Sequence, residues 1–408
     1  MRKIGKGLIA RLMLVVVMIT ITISVVSFSN NGATENSNEE IKESTVNIYM
    51  WGGSDSINNY IDKWVAPKLK DEKNIILKRV PITDPKDVIN KLIVEKKENK
   101  QSGSVDIIWM NGENFKMAKE SEVLYGPFTS ELESFNKYVN SESNDIKYDF
   151  GEETNGLEAP WGKVQFVYIY DSNKIKNPPK SFSELKEFVK ANPGKVTYPV
   201  ATDFTGSAFV RQAFYETTGG YEKYLGKMDE KTLSESARPL WSYLNEIKPY
   251  LWEKGTTYPE SLTKLDQLYA SGEVWMTMGY DEARAENEIK KGVFPKSTKT
   301  MVFETGTLAN THFLTIPFNS SNKDGAKEVI DFLLSPKAQI AKFDPANWGD
   351  GIALDFTKLS EEDKKAISAI DRGNSTLPVK ELEAHRVPEI NASYVNFLEK
   401  GWKENVAK

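Results

Sequence analysis

The chain has 408 residues, a formal net charge of -5 at pH 7 and a hydrophobic content of 39 %. The acidic balance argues against nucleic acid as a partner, and the absence of cysteine excludes disulfides, thiolate metal sites and a lipid-modified N-terminal cysteine. A chain of this length exceeds what one hydrophobic core usually serves, which predicts two domains.

The N-terminal segment predicts export. Basic residues precede the apolar run Leu12–Phe28, which is the pattern of a secretory signal peptide within residues 1–29. A run of about 17 residues also reaches the lower limit of a bilayer span, so an uncleaved N-terminal anchor is the alternative. The polar residues 30–45 then predict a tether. Both interpretations place the rest of the chain outside the cytoplasm, in the periplasm or at the cell surface.

Strands and helices alternate through the first part of the chain. Apolar residues from Ile57 to Leu69 recur at helical spacing, and Asp84 followed by Pro85 marks a helix start. This alternation predicts a parallel α/β layer, in which ligands bind beyond the carboxyl ends of the strands. The predicted strands are Val46–Trp51, Ile75–Val80 and Val105–Met110.

A second series of elements follows Pro160–Gly162, and the last third of the chain is predicted to be mainly helical. Its predicted strands are Val164–Tyr170, Val196–Val200, Glu273–Met278 and His312–Pro317. Its predicted helices are Ser181–Lys190, Ala208–Thr218, Leu233–Lys248, Pro259–Tyr269 and the pair Lys323–Leu334 and Pro336–Phe343.

Five short turns combine a glycine, an aromatic ring and short polar groups, a mixture that builds small-molecule pockets. Two follow predicted strands, and a third precedes a helix whose free N–H groups attract an anionic group. The structural alternatives are that Thr205 or Ser207 caps this helix and that Trp51 and Trp161 are core residues. The five turns are Trp51–Ser54, Asn111–Phe115, Pro160–Gly162, Asp203–Ser207 and Asn347–Asp350.

The charge of the expected ligand is in conflict. The donors at the helix start near Thr205 favour an anion, whereas acidic side chains beside aromatic rings favour a cation. A thiamine-like aromatic cation or a zwitterion satisfies both tendencies. The acidic residues concerned are Glu113, Asp281, Glu282 and Asp350.

The sequence contains no catalytic signature. His312 and His385 belong to no metal-binding pair, and the P-loop, the nucleophile elbow and the dinucleotide-binding glycine motif are absent. We therefore predict no catalytic residues, no metal site and no cofactor. Abundant carboxylates leave open a secreted carbohydrate-acting hydrolase that uses a carboxylate pair.

Three segments resemble extracellular solute-binding proteins of ABC importers. Glu158–Asp171 is similar to the strand that crosses from one lobe to the other in that superfamily, and Gly272–Gly279 resembles the return crossing. Phe313–Ser320, with the following Asp331–Pro336, resembles its C-terminal strand and helix pair. The segments Asp106–Phe115, Tyr125–Phe128 and Asp203–Gln212 resemble the YnjB-type family, which is related to thiamine, iron and polyamine binders.

The resemblance implies an α/β, two-lobe type II periplasmic binding protein fold. Each lobe is expected to be a mainly parallel sheet flanked by helices, with the ligand cleft at the hinge. It implies a first lobe of residues 46–158 plus 281–309. The second lobe is then expected from residues 159–279 plus 310–408, with a helical C-terminal part.

The resemblance also implies a binding role. The protein is expected to capture a small solute by hinge closure and to deliver it to a membrane permease and its ATPase. It is expected to be a monomer that meets the membrane surface through the permease or an uncleaved anchor. The expected ligand-binding residues are Trp51, Gly52, Ser54, Asn111, Glu113, Asn114, Trp161, Thr205, Gly206, Ser207, Tyr280, Asp281 and Trp348.

Overall fold

The computed structural model describes residues 43–407, apart from the side chains of residues 230–232. The predicted signal peptide or anchor lies outside the described residues, as does most of the predicted tether. Residues 44 and 45 of that tether belong to the first strand. Between residues 43 and 407, no helix has both the length and the apolar character that a bilayer span requires.

Eleven strands are present in this part of the chain. They are β1 Ser44–Trp51, β2 Ile75–Ile82, β3 Ile107–Met110, β4 Tyr148–Asp149, β5 Glu152–Glu153, β6 Glu158–Gln165, β7 Val167–Asp171, β8 Met276–Gly279, β9 Thr298–Met301, β10 Thr307–Thr315 and β11 Arg386–Pro388.

The α-helices of the first half are α1 Asp55–Asn59, α2 Ala66–Lys73, α3 Pro85–Lys97, α4 Glu113–Glu120, α5 Glu133–Tyr138, α6 Asn144–Lys147, α7 Phe182–Ala191 and α8 Phe204–Thr218. Those of the second half are α9 Glu230–Ser236, α10 Arg238–Ile247, α11 Leu262–Ala270, α12 Arg284–Lys290, α13 Lys323–Leu333, α14 Pro336–Phe343, α15 Glu361–Ser368, α16 Val379–Ala384 and α17 Val395–Asn405. A π-helical segment, Tyr60–Val65, joins α1 to α2.

A six-stranded sheet carries the first α/β layer. Its order is β11-β10-β3-β1-β2, and β6 pairs with β10. Strand β1 is parallel to β2 and β3, as the strand and helix alternation predicts. Asp84 caps α3 by accepting a hydrogen bond from the Lys86 N–H at 2.9 Å. Because β1 and β3 are parallel, their carboxyl ends point to the same edge of the sheet, where Trp51 ends β1 and Asn111 follows β3.

A separate three-stranded sheet has the order β8-β7-β9. Both of its pairings are antiparallel, which differs from the expectation of a mainly parallel sheet in each lobe. The predicted strand Val196–Val200 is not a strand. Its backbone bonds to two loops instead: the Val196 carbonyl accepts from Trp252 N at 2.9 Å, and Val200 N donates to the Pro259 carbonyl at 2.9 Å.

The chain passes between the two sheets twice. The predicted strand Val164–Tyr170 is divided at Phe166 into β6, which pairs with β10, and β7, which pairs with β8 and β9. Pro160–Gly162 lies inside β6 and does not precede it. The return passage lies between β9 and β10, later than the expected Gly272–Gly279, because β8 and β9 both belong to the three-stranded sheet.

The hydrophobic cores follow the two sheets. One core contains β1 residues together with apolar residues of α13, α14 and α15, such as Val329, Ala338 and Ile367. The other contains β7 residues with apolar residues of α8 and α17, such as Phe209 and Leu398. The helical C-terminal third is thus shared between both cores.

Candidate functional site

A buried polar cluster, which we call the Arg211 cluster, gathers side chains from distant parts of the chain. Arg211 is 1 % exposed on α8. Its guanidinium donates through Nε to Glu389 Oε2 at 3.1 Å, through Nη1 to Ser207 Oγ at 2.7 Å and through Nη2 to Tyr280 Oη at 3.2 Å. Asn310 donates to Glu389 Oε1 at 3.2 Å. The cluster thus joins α8, the residue after β8, β10 and the residue after β11.

The cluster reaches the six-stranded sheet through the turn after β3. Asn111 Nδ2 donates to Asn310 Oδ1 at 3.2 Å. Gly112 adopts a φ of 66°, a conformation that favours glycine, and its N–H donates to Asp149 Oδ2 at 2.6 Å. This turn makes Glu113 the first residue of α4. The predicted residues Asn111, Ser207 and Tyr280 are therefore connected by the Arg211 cluster.

Two half-buried carboxylates border the cluster. Glu399 of α17 accepts a hydrogen bond from Ser207 Oγ at 2.9 Å. Burial and then the charge of Glu113 raise the pKa of Glu399 to about 7, although Ser207, Arg211 and Lys86 act in the opposite direction. Burial also raises the pKa of Glu113, and the charge of Arg211 partly offsets this shift. Glu113 and Glu399 therefore lie within electrostatic range of each other.

The start of α8 is already occupied by an anionic group of the protein. Asp203 Oδ1 accepts hydrogen bonds from Thr205 N at 2.9 Å and from Gly206 N at 3.2 Å. Asp203 is thus the cap, and neither Thr205 nor Ser207 has that role. These N–H groups could bind a ligand anion, as predicted, only if Asp203 moved away from them.

Gly206 is needed where it stands, because a Cβ there would overlap the carbonyl oxygen of Val200. Phe204, beside it, is 38 % exposed. The centre of its ring lies 5.3 Å from that of Tyr280. The start of α8 therefore presents an aromatic face next to the Arg211 cluster.

Two predicted site residues, Trp161 and Trp348, belong to an aromatic group in the core around the six-stranded sheet. They are 0 % and 3 % exposed, and their ring centres are 5.2 Å apart. Trp109 packs on both, with centroid distances of 5.3 and 5.8 Å. Trp161 is therefore packed as a core residue, which is the alternative stated for it in the sequence analysis.

An ion cluster lies against these rings. Asp350 accepts hydrogen bonds from Lys342 Nζ and pairs with His312 Nε2, the latter at 2.9 Å. A Cβ on Gly162 would overlap all three of these side chains, which explains the glycine in β6. Burial alone raises the pKa of Asp350, but Lys342 and His312 more than offset it, and the net shift is downward. Asp350 is thus an ionised partner of this cluster.

The remaining predicted residues lie at other points. Trp51 is half-buried at the end of β1, where its indole covers Gly53, and the Gly52 carbonyl accepts from Asn58 Nδ2 at 2.9 Å. Ser54 is the N-cap residue of α1 without a side-chain cap bond, and Asn114 is half-buried in α4.

Asp281 is a half-buried acid next to Tyr280. Its Oδ1 accepts a hydrogen bond from Ala283 N at 3.1 Å. Burial raises the pKa of Asp281 to about 7, with Arg284 opposing and Asp350 adding to the shift. Across residues 43–407, no group of three or more histidine, aspartate or glutamate side chains is arranged to hold a metal ion.

Sequence reasoning missed Arg211, Glu389, Asn310 and Glu399. Arg211 did carry a signal, because it stands in the apolar stretch Ala208–Tyr215, and a charge on such a helix requires a buried partner. Glu389 and Glu399 carried none, since they lie in polar segments close to the end of the chain.

Comparison with known proteins identifies the family. Residues 63–355 match the model of the bacterial extracellular solute-binding proteins. The chain is 36 % identical over 364 residues to protein YnjB of Escherichia coli K12, covering 89 % of this chain and 91 % of that protein. It is 26 % identical over 234 residues to a putative 2-aminoethylphosphonate-binding periplasmic protein of Salmonella typhimurium LT2. This match covers 55 % of this chain and 60 % of that protein.

Solved structures show the same fold. An ABC transporter protein from Clostridium perfringens superposes with a TM-score of 0.59 at 18 % identity, covering 88 % of this chain and 98 % of that one. The type II periplasmic binding protein fold predicted from the sequence is thereby confirmed. The hydrolase alternative finds no support, because the matched family model describes extracellular solute-binding proteins. The chain belongs to the bacterial extracellular solute-binding protein family.

Proposed function

We propose that this protein is the extracytoplasmic solute-binding component of an ABC importer and that it captures a small organic cation. The observation that carries the ligand class is the placement of two acids at the Arg211 cluster, whose guanidinium is already paired with Glu389. Glu399 accepts a hydrogen bond from Ser207, which also bonds Arg211, and Glu113 begins α4 directly after the turn that bonds Asn310. The solute is held without any change in its bonds and is passed to the permease, whose partner ATPase drives import.

The charge balance of the site supports a cation. The two groups that attract an anion are both occupied by carboxylates of the chain, since Asp203 accepts from the start of α8 and Glu389 from Arg211. Glu113 and Glu399 then leave negative charge at the border of the cluster. An amine placed between them would form charge-assisted hydrogen bonds with both.

An aromatic or otherwise flat cation fits this site best. Phe204 is 38 % exposed at the start of α8, and the Arg211 guanidinium lies 5.7 Å from its ring centre. Aromatic faces attract cations within about 6 Å, so the exposed part of this ring would support a flat cation. The Salmonella relative is named for 2-aminoethylphosphonate, whose amine is the group that Glu113 and Glu399 would hold here. A thiamine-like cation is the first candidate, and a zwitterion that presents its amine to these residues is the second.

Closure of two lobes is the proposed mode of capture. We assign the first lobe to residues 44–165 plus 307–370 and the second to residues 166–306 plus 371–407, except that β11 pairs with β10 and so belongs to the sheet of the first lobe. The pairing of β9 with β7 supports placing 281–306 in the second lobe. The packing of α13 around β1 supports placing 307–370 in the first lobe. The two passages of the chain, after β6 and before β10, would serve as the hinge.

In this arrangement, the predicted residues divide into three groups. Asn111, Glu113, Ser207 and Tyr280 would line or border the ligand directly. We assign Trp161 and Trp348 to supporting that surface from the core. The rest stay as proposed contributors at the edge of the cleft: Trp51, Gly52, Ser54, Asn114, Thr205, Gly206 and Asp281.

A thermal-shift screen with solutes of different charge tests the proposal. The panel contains thiamine, putrescine, 2-aminoethylphosphonate, inorganic phosphate and maltose. A cation at about 100 times its Kd should stabilise the protein by about 2.7 kcal/mol and raise the unfolding midpoint accordingly. Stabilisation by phosphate or maltose alone would contradict the proposed ligand class. In a separate assay, hydrolysis of a glycan panel would contradict a purely binding role and favour a carbohydrate-acting hydrolase.

Cation affinity should depend on pH through Glu399. Because its pKa is about 7, this carboxyl is largely ionised at higher pH and neutral at lower pH. The groups facing it are Glu113, Lys86, Arg211 and Ser207. Affinity should fall about fivefold between about pH 8 and pH 6, because the ionised fraction falls about tenfold and the neutral form still binds about tenfold more weakly.

The matched control for this pH dependence is the Glu399→Gln variant, measured by calorimetric titration with the cation that stabilises the wild type most. Asp281 also has a pKa of about 7, so the variant distinguishes between the two acids. The variant should bind more weakly and show little change with pH. An unchanged pH slope in Glu399→Gln would assign the dependence to another group.

A further inference from the structure

Glu389 meets the guanidinium of Arg211 as a ligand carboxylate would. Its two oxygens face the Nε and Nη2 edge of Arg211, at 3.1 Å from Nε and 3.3 Å from Nη2. This is the two-point geometry by which arginine binds carboxylate and phosphate groups. The side chains of Arg211 and Glu389 are 1 % and 3 % exposed. A carboxylate of the chain therefore occupies the position that an anionic ligand would take.

Glu389 is held in place from two further sides. Tyr280 Oη donates to Glu389 Oε1, and Asn310 Nδ2 donates to the same oxygen at 3.2 Å. The backbone before Glu389 is fixed as well, because Arg386–Pro388 pair with Thr307–Ala309 of β10. Displacing Glu389 would break these bonds and leave a carboxylate without its cation in a buried position, which is costly.

Most of the other donors of Arg211 also form hydrogen bonds within the chain. Nη1 donates to Ser207, and Nη2 donates to Tyr280 as well as to Glu389. Of the five N–H donors of an arginine, four are thus engaged by the chain itself. The guanidinium is both neutralised in charge and nearly saturated in hydrogen bonds.

We propose that Glu389 is a specificity-determining residue, a built-in counter-ion that closes Arg211 to anionic solutes and leaves the site selective for cations. This inference rests on the proposed function, since it concerns the charge class that the same site accepts. Removing only the negative charge of Glu389 should convert the guanidinium into an open anion site.

The test compares binding of inorganic phosphate to the full chain and its variants by calorimetric titration. Glu389→Gln keeps the size of the side chain and should gain phosphate affinity by at least about tenfold over the wild type. The double variant Arg211→Gln/Glu389→Gln should lose this gain, because the cation is absent. Glu383→Gln, an equal charge change at an exposed position of α16, should change phosphate affinity less than about twofold.

Tyr280→Phe gives a second measurement that does not remove a charge. It deletes the hydroxyl that bonds both Glu389 and Arg211, so it should produce a smaller gain in phosphate affinity. If Glu389→Gln does not fold, the phosphate affinity of Tyr280→Phe tests whether Glu389 closes Arg211 to anions.

No gain in either folded variant would overturn the inference, and so would an equal gain in Glu383→Gln or in the double variant. The phosphate readout does not depend on the natural cargo. A wild-type protein that binds no cation would therefore contradict the proposed function, while a phosphate gain in Glu389→Gln would still support the role of Glu389.

Discussion

Replacing Glu113 and Glu399 together by glutamine should weaken binding of the most strongly stabilising cation by about 100-fold or more. A hydrogen bond to a charged group contributes about 1.5 to 3 kcal/mol, and each 1.4 kcal/mol corresponds to about a tenfold change in Kd. Glutamine keeps the shape of both side chains and removes the two charges that we propose face the amine. The single variants should each lose about tenfold, and calorimetric titration measures all three.

The control lies on the same helix as Glu113. Glu120 ends α4, is exposed, and pairs with Lys116 at 2.8 Å. Glu120→Gln removes the same charge from the far end of that helix and should leave the affinity within about twofold of the wild type. An equal loss in Glu120→Gln would show that overall charge, and not a specific contact, governs binding.

Replacing Lys342 by methionine should lower the free energy of unfolding by about 3 to 5 kcal/mol. The side chain of Lys342 is 0 % exposed and that of Asp350 is 2 % exposed. Methionine fills a similar volume but leaves the Asp350 carboxylate buried without its main cation. In the wild type, burial lowers the pKa of His312 although Asp350 opposes this shift, so Lys342 is the main cation that faces Asp350. Chemical denaturation of the purified variant measures the change.

The same substitution at a surface position of the same helix serves as the control. Lys337 pairs with Glu72 at 2.6 Å, and their side chains are 54 % and 42 % exposed. Such pairs contribute about 0 to 1 kcal/mol, so Lys337→Met should be nearly neutral. If Lys342→Met lowered the free energy of unfolding as little as Lys337→Met, the folded protein would not depend on Lys342 to neutralise Asp350.

Local patterns predicted much of the fold because they depend on near neighbours. The Asp84–Pro85 start of α3, the helical spacing after Ile57 and the strands around Val46 and Ile107 are all observed. The prediction of a strand at Val196–Val200 was wrong. The apolar residues there are buried, but the backbone bonds to two loops instead of to a neighbouring strand. Burial gives such a segment the composition of a strand without its pairing.

The candidate site was predicted less completely, because its key contact joins residues 178 positions apart, Arg211 and Glu389. No short-range pattern marks such a pair. Trp161 shows the opposite difficulty, since a tryptophan beside glycine suits both a ligand surface and a core. Its burial and its packing against Trp109 and Trp348 follow from the assembled sheet and not from the local sequence.

The solute retained by freshly purified protein tests the central claim most directly. Native mass spectrometry, followed by release of the solute in denaturant, should show one organic cation per chain of the wild type. The Glu113→Gln/Glu399→Gln variant should retain none, while Glu120→Gln should retain it as the wild type does. Retention of an anionic or uncharged solute by the wild type, or of the same cation by the double variant, would contradict the assignment of Glu113 and Glu399 as the cation-binding pair.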